Sequence, residues 1–132
     1  MKNHRIASID IGTNTLLMTI ADVSADGMTI LADTHSIARL GQDVDASKTI
    51  QPEAVKRAVE ILKRYKERLD ELDVHRIRAV GTSCLRDAQN RDEVCKEFES
   101  ALGCPVEVIT GDEEARLCFI GTVENDEPTT VL

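Results

Sequence analysis

An acidic residue, Asp10, stands near the end of an otherwise apolar run, Ile6-Ala-Ser-Ile-Asp-Ile11, and is followed at once by Gly12-Thr-Asn-Thr15. A glycine with three short polar residues between two apolar runs reads as a tight turn, since Gly12 can take positive φ without a Cβ clash. Such a turn aims backbone N–H groups, hydroxyls and an amide at one point, as anion-binding nests do. A carboxylate in a buried-looking strand wants a partner there: a metal, a water or a turn N–H. An ordinary polar hairpin accounts for the same residues. Two more stretches carry comparable chemistry. Gly81-Thr-Ser-Cys-Leu-Arg86 follows a short apolar run, so Thr82 and Ser83 open a helix at a strand–helix junction, a place that offers N–H groups to anions, with Arg86 about a turn further on. Thr110-Gly-Asp-Glu-Glu114 matches a helix-capping pattern in which Glu113 reaches back to the cap, leaving Glu114 beside it. Arg39, ahead of Leu40-Gly41, is placed to clamp a phosphate or to serve as a surface ion-pair partner. Arg86 likewise has the alternative of pairing with Asp87 or another carboxylate.

The elements that must hold these residues follow from periodicity. Strands are expected over 5–11, 16–24 and 28–37, with Asp26-Gly27 as the hairpin signal between the last two. Residues 38–51 read as a polar loop of a length that is uncommon unless functional or mobile. The clearest helix covers 52–72, where Val55, Ala58, Val59, Leu62, Tyr65, Leu69 and Leu72 make an apolar stripe and Glu53–Arg57, Glu60–Arg64 and Lys63–Glu67 are paired four residues apart on a solvated face. A strand at 76–80 runs into the helix opened by Thr82 and Ser83. Asn90 with Glu93 reads as a fresh N-cap for a helix through Leu102, stopped by Gly103. A strand at 106–109, a helix through Ala115, Leu117, Cys118, Phe119 and Ile120, a polar loop at 124–128 and an extended run over 129–132 complete the chain. Three antiparallel strands followed by right-handed crossovers give an α/β fold with a mixed five-stranded sheet of order 3-2-1-4-5. That order brings Asp10–Thr15, Thr82–Arg86 and Gly111–Glu114 to one sheet edge, where ligands of such sheets bind.

Composition sets outer bounds. The 132 residues amount to one domain, with a core of Ile, Leu, Val and Ala because only 2% of residues are aromatic. A net charge of -8 argues against a nucleic-acid or anionic-membrane surface, and it sits awkwardly with a polyanionic substrate. No apolar run approaches the ~20 residues of a spanning helix and no secretory leader is visible, so a cytoplasmic protein is the expectation. Cys84, Cys95, Cys104 and Cys118 show no zinc-like spacing and read as free, packed thiols. His35, alone at a strand end, reads as a surface residue rather than a ligand.

Ile9-Asp-Ile-Gly-Thr-Asn-Thr15, Val80-Gly-Thr-Ser-Cys-Leu-Arg-Asp-Ala88 and Ile109-Thr-Gly-Asp-Glu-Glu-Ala-Arg-Leu117 together resemble the exopolyphosphatase / guanosine pentaphosphate phosphohydrolase family in order and spacing, as does Arg39-Leu-Gly41. The first segment is shared by actin-like and sugar-kinase-like ATPases; the third is the specific one. The resemblance covers essentially the whole chain. It implies a ribonuclease H-like domain of the actin-like ATPase superfamily, with residues 1–132 as the N-terminal half-domain of a larger phosphatase. It also implies hydrolysis of a terminal phosphoanhydride in inorganic polyphosphate or guanosine pentaphosphate. Glu114 then corresponds to the general base, Arg86 to a phosphate-contacting arginine, and Gly12, Thr13, Asn14 and Thr15 to the first phosphate loop. Asp10, Arg39, Thr82 and Ser83 are the further candidates for phosphate binding. The resemblance implies a divalent cation, magnesium first, and a homodimer for the full-length enzyme, with no metal ligand assigned in this stretch and no nucleic-acid or membrane partner.

The family's second phosphate loop, Asp-x-Gly-Gly-Gly-Ser, lies just beyond the position where this chain ends, so these residues alone are expected to fold with little or no turnover. Two alternatives stand beside the hydrolase. One is the ATP-binding half of an actin-like or sugar-kinase-type protein, which shares the first loop but has no reason to carry Glu113-Glu-Ala-Arg116. The other is a non-catalytic module that binds guanosine polyphosphates or a protein partner.

Overall fold

The computed structural model describes residues 4–116. The expectations for Leu117 to Ile120, including Cys118, and for residues 124–128 and 129–132 lie outside the described residues. Five strands form one sheet: β1 (His4–Ile11), β2 (Thr15–Ser24), β3 (Gly27–Ile37), β4 (Arg76–Gly81) and β5 (Val106–Val108). The helices are α1 (Val44–Ser47), α2 (Pro52–Glu71), α3 (Ser83–Asp87) and α4 (Arg91–Leu102), and residues 111–116 are helical as α5. The sheet order is β3-β2-β1-β4-β5, as the crossover argument requires. β1 runs antiparallel to β2, with Asp10 opposite Leu17, and parallel to β4, with Asp10 beside Val80.

Period-two alternation decides which face each strand residue joins. Ala7, Ile9 and Ile11 of β1, Leu16, Met18 and Ile20 of β2, and Ala79 of β4 are buried on the face packed by helices. From α2 the buried stripe is Ala54, Val55, Ala58, Ile61, Leu62, Tyr65 and Leu69, and from α4 it is Val94, Phe98 and Leu102. Ser8, Asp10, Leu17 and Thr19 alternate to the other face, so Asp10 is kept out of the main core by register. Tyr65 is buried with its hydroxyl 3.0 Å from both the Leu16 carbonyl and Ser36 Oγ, which meets the rule that a buried polar tip needs a partner. Cys84, Cys95 and Cys104 are free thiols whose pKa values are raised chiefly by burial, Cys84 to about 11. Cys84 is packed and Cys95 and Cys104 are half-buried, in keeping with free, packed thiols.

Several local expectations are corrected. The turn at residues 12–15 is tight, but Gly12 does not take positive φ; a Cβ there would stand 2.9 Å from the Thr15 carbonyl oxygen, so the demand for glycine is close approach. Gly27 does use positive φ, at 136°, in the Asp26-Gly27 hairpin. The stretch 38–51 is not all loop, because α1 forms between Asp43 and Lys48, each with φ of 61° in the left-handed region. On α2 Arg57 does not pair with Glu53. Its Nε donates to the Ala38 carbonyl at 3.0 Å and its Nη2 to Gln42 Oε1 at 2.9 Å, satisfying a carbonyl where the chain leaves the sheet. The ion pairs seen on that helix are Lys66–Asp70 and Arg68–Glu71.

Asn90 occupies the N-cap position of α4, yet its side chain makes no cap hydrogen bond. The amide instead reads the Ile50 backbone twice: Ile50 N–H donates to Oδ1 at 3.0 Å, and Nδ2 donates to the Ile50 carbonyl at 3.1 Å. With Gln89 N–H donating to the Lys48 carbonyl at 2.8 Å, residues 89–90 hold the end of the long loop as a neighbouring strand would. Replacing Asn90 by Ala strands two half-buried backbone groups. Asn90→Ala is expected to lower unfolding free energy by about 2 kcal/mol, read from urea denaturation, whereas loss of a simple cap would cost about 1 kcal/mol.

Candidate active site

The carboxyl ends of β1, β4 and β5 converge with the start of β2 and the end of β3. At the end of β1 the turn is closed by Gly12 N–H to the Thr15 carbonyl at 3.1 Å. The Thr13 and Asn14 carbonyls then receive the chain that leaves β3. Ala38 and Arg39 N–H both donate to the Asn14 carbonyl at 3.0 Å, and Gly41 N–H donates to Thr13 at 2.9 Å. A Cβ on Gly41 would lie 2.4 Å from Thr13 Cγ2, so the two loops approach this closely only because residue 41 has no side chain. Asn14 contributes its backbone and presents an exposed side chain, and Thr15, half-buried, begins β2.

From the middle of the sheet edge, Thr82 N–H donates to the Ile11 carbonyl at 3.2 Å, and Ser83 Oγ lies 3.0 Å from Thr13 Oγ1. Thr82 is buried at the N-cap of α3 without a side-chain cap bond. Arg86 makes neither of the carboxylate contacts that its sequence position allows. Its Nη1 donates to the Ile109 carbonyl at 2.8 Å, bracing α3 against the end of β5, and the side chain is half-buried. At the start of α5, Thr110 Oγ1 caps Glu113 N–H at 3.1 Å, the expected half of the capping box. The Glu113 carboxylate turns to Arg116 at 3.2 Å and Arg78 at 3.8 Å rather than back to the cap. Glu114 is half-buried with its N–H in the helix, bonded to Thr110 at 2.9 Å.

These residues do not all meet in one place. Asp10, Thr82 and Glu114 line a cavity of about 310 Å³ together with Ser8 and Arg78. Thr13 and Ser83 line a second cavity of about 280 Å³ beside α1, with Gly41, Lys48 and Asp87. The division follows from alternation, since Asp10 and Thr13, and likewise Thr82 and Ser83, point to opposite sides of the loops that join them. Arg39 is exposed at φ 54°, with its backbone in the inter-loop hydrogen bonds and no ion pair among the described residues. Sequence reasoning passed over Lys48 and Arg78. Neither has a marking motif: Arg78 is placed by its register beside Ser8, and Lys48 by a turn that the sequence does not announce.

Asp10 is the electrostatic anomaly. Its Oδ1 is buried without a hydrogen-bond partner among the described residues. Burial first, and the Glu114 carboxylate second, hold its carboxyl above the ordinary value of 3.8. Arg78 lines the same cavity, but its guanidinium is turned to Glu107 at 3.2 Å and to Glu113. An orphaned carboxylate oxygen facing a second carboxylate fits a hard cation, since Mg²⁺ is bound by one or two carboxylates and completes its shell with water and phosphate oxygens. Among the described residues no group of three or more His, Cys, Asp or Glu gathers for a metal.

The sequence model of the Ppx/GppA phosphatase family matches residues 19–131. The chain belongs to the Ppx/GppA phosphatase family. Exopolyphosphatase 2 of Mycobacterium tuberculosis is 43% identical over 128 residues, covering 90% of this chain and 40% of the relative. The crystal structure of the Aquifex aeolicus Ppx/GppA family member superposes with a TM-score of 0.87 at 32% identity, over 92% of this chain and 40% of that one. The chain therefore spans about 40% of the length of the relatives it matches. The fold extends beyond the Ppx/GppA proteins: ethanolamine utilization protein EutJ from Carboxydothermus hydrogenoformans superposes at TM-score 0.55 and 14% identity, over 92% of this chain and 42% of that one. At that identity the likeness is one of fold alone. Arg39, Arg86 and Glu114 fall inside the family match, whereas the loop from Asp10 to Thr15 precedes it. Among the described residues no helix is long and apolar enough to cross a membrane.

Because its folded pKa is raised, Asp10 favours the fold most when protonated. That contribution is complete below the ordinary carboxylate value and is lost as pH rises through the folded value. Asp10→Asn is expected to be more stable than the parent at pH 7, by roughly 1 kcal/mol, and to lose that advantage near pH 3. Denaturant unfolding in EDTA at both pH values measures this; the same difference at both would remove the charge of Asp10 as the cause.

Proposed function

We propose that this chain supplies one wall of the catalytic cleft of a hydrolase that releases the terminal phosphate of inorganic polyphosphate. The observation that carries the reading is the pairing of Glu114 with Asp10 in one cavity at the carboxyl edge of the sheet, beside a hydroxyl- and glycine-lined loop. The name of the Mycobacterium tuberculosis relative, exopolyphosphatase 2, supports polyphosphate as the substrate.

In this reading Glu114 takes a proton from a water whose oxygen attacks the terminal phosphorus. The bond between that phosphorus and its bridging oxygen breaks, and the shortened chain leaves with the bonding electrons. Phosphoryl transfer needs positioning and charge stabilisation more than covalent help. Thr82 and the Gly12–Thr15 loop would position the phosphate, and the Arg86 donors that are not engaged with Ile109 would meet its developing charge. A divalent cation, when bound, supplies neutralisation of phosphate oxygens, and the unpartnered Asp10 oxygen fits one of its ligand positions. The remaining length of the relatives would complete the cleft, so the 132 residues alone are expected to show little or no turnover.

Two measurements test the reading. In the full-length protein, Glu114→Gln is expected to lower polyphosphate hydrolysis by about 10²–10⁴-fold, the range of general acid–base catalysis, with binding held within about twofold; unchanged turnover removes Glu114 from the mechanism. Assay of guanosine pentaphosphate alongside decides which anhydride is preferred. Separately, Mg²⁺ is expected to raise the melting temperature of the parent chain and to have little effect on Asp10→Asn. An equal rise in both would detach the cation from Asp10.

A further inference from the structure

β3 (Gly27–Ile37) is an edge strand: among the described residues it pairs with β2 on one side and with nothing on the other. Most of its side chains are exposed, Ile37 to 65%. An open edge of this length is a template for another strand, and proteins ordinarily blunt such edges with charges, proline or bulges. β3 has one irregularity, where its register against β2 shifts between Ile20 and Ala21. Beyond that point residues 32–37 stay in unbroken register with β2 and contain no proline. Asp33 and His35 are the only ionisable residues of this straight stretch, and both are exposed. Asp33 lies opposite Thr19, whose hydroxyl donates to its Oδ1 at 3.3 Å, and His35 lies opposite Leu17.

The hydrogen bonds at the end of the strand fix which way its backbone points. The Asn14 carbonyl accepts Ala38 N–H, toward β3, and the Thr15 carbonyl accepts Gly12 N–H, toward β1. Backbone groups alternate sides along a strand. Leu16, Met18 and Ile20 are therefore directed at β3, and their partners Ser36, Thr34 and Ala32 are directed back at them. The N–H and C=O groups of Asp33, His35 and Ile37 point outward. An added antiparallel strand must set its own outward-pointing residues against these. When that strand is β3 of another copy, three registers centre on the charged residues. Asp33 meets Asp33, or His35 meets His35, or Asp33 meets His35 with Thr34 on the two-fold axis. The first opposes like charges and the second opposes two basic rings; the third sets an acid against a base twice over, which favours cross-strand pairing.

We infer that a second copy of this chain adds to the β3 edge in this third register, joining the two sheets across a two-fold axis. Ala32 then faces Ser36, and the exposed Ile37 lies next in line, where it loses water to the partner strand. β1 and β3 both run antiparallel to β2, so they run the same way, and the partner's strands run the opposite way. The two candidate active sites thus open at opposite ends of the joined sheet, and both stay free. A pairing over 32–37 covers less than the about 1,200 Å² of stable interfaces, so the dimer is weak and depends on concentration.

The test is sedimentation velocity of the chain across a dilution series. The parent is expected to pass from monomer to dimer as concentration rises. His35→Pro removes an outward N–H, at the kind of edge position where proline is tolerated, and is expected to stay monomeric with an unchanged urea midpoint. Asp33→Lys and His35→Glu each set like charges across the axis and are expected to weaken the dimer by about tenfold. The double variant exchanges the charges and is expected to restore it. That rescue decides the matter if His35→Pro fails to fold. A parent that stays monomeric throughout overturns the inference, whatever else covers the edge. A dimer unchanged by His35→Pro lies on another surface and overturns it too, as does a double variant no tighter than the single ones.

Discussion

The contact on which this sheet edge depends is the docking of the chain leaving β3 onto the carbonyls of Thr13 and Asn14. Three backbone N–H groups, from Ala38, Arg39 and Gly41, donate to two consecutive carbonyls, and the fit closes only because Gly41 has no Cβ. Buried backbone groups must find partners, so each loop here is the other's hydrogen-bonding partner. With its carbonyls taken, the first loop is left with hydroxyls and N–H groups to offer a ligand. The same contact anchors the start of the segment that carries α1 and Lys48, whose far end is held by Gln89 and Asn90. Arg57 closes the set by satisfying the Ala38 carbonyl from α2. The loops therefore behave as an extension of the sheet, with little of the freedom that their polar composition suggests.

That extension explains what was legible in the sequence. The strands and the long helix followed from period-two and 3.6-residue patterns, which are properties of single segments, and the strand order, with the gathering of Asp10, Thr82 and Glu114, followed from right-handed crossovers between them. The two-cavity division did not follow, although the information was present in the alternation of Asp10 against Thr13 and of Thr82 against Ser83. Applying the period-two rule through the turns, and not only along the strands, would have found it. α1 was invisible for another reason: four residues cannot display a helical period, and both flanking left-handed positions hold Asp43 and Lys48 where glycine would have given the signal. Asn90 and Arg86 show the limit of local rules. Each stands where a cap or an ion pair is expected, and each instead serves a distant backbone group, at Ile50 or Ile109, that no single-segment pattern names.

The charge of the chain, -8, bears less on the site than its magnitude suggests. At physiological salt an exposed charge acts over about 8 Å, so the paired acids and bases on the outer face of α2 are nearly silent at the sheet edge. What counts is the local set: among the residues lining the two cavities, Asp10, Asp87 and Glu114 stand against Lys48 and Arg78. Three carboxyls against two cations do not make a positive wall, and Arg78 is already turned to Glu107 and Glu113. Phosphate-binding surfaces that act alone are strongly positive; this one is not. A polyanion held here must bring positive charge with it, as a divalent ion against the orphaned Asp10 oxygen, or meet it on an opposing wall. The charge balance thus gives a reason for a cation that is independent of ligand geometry.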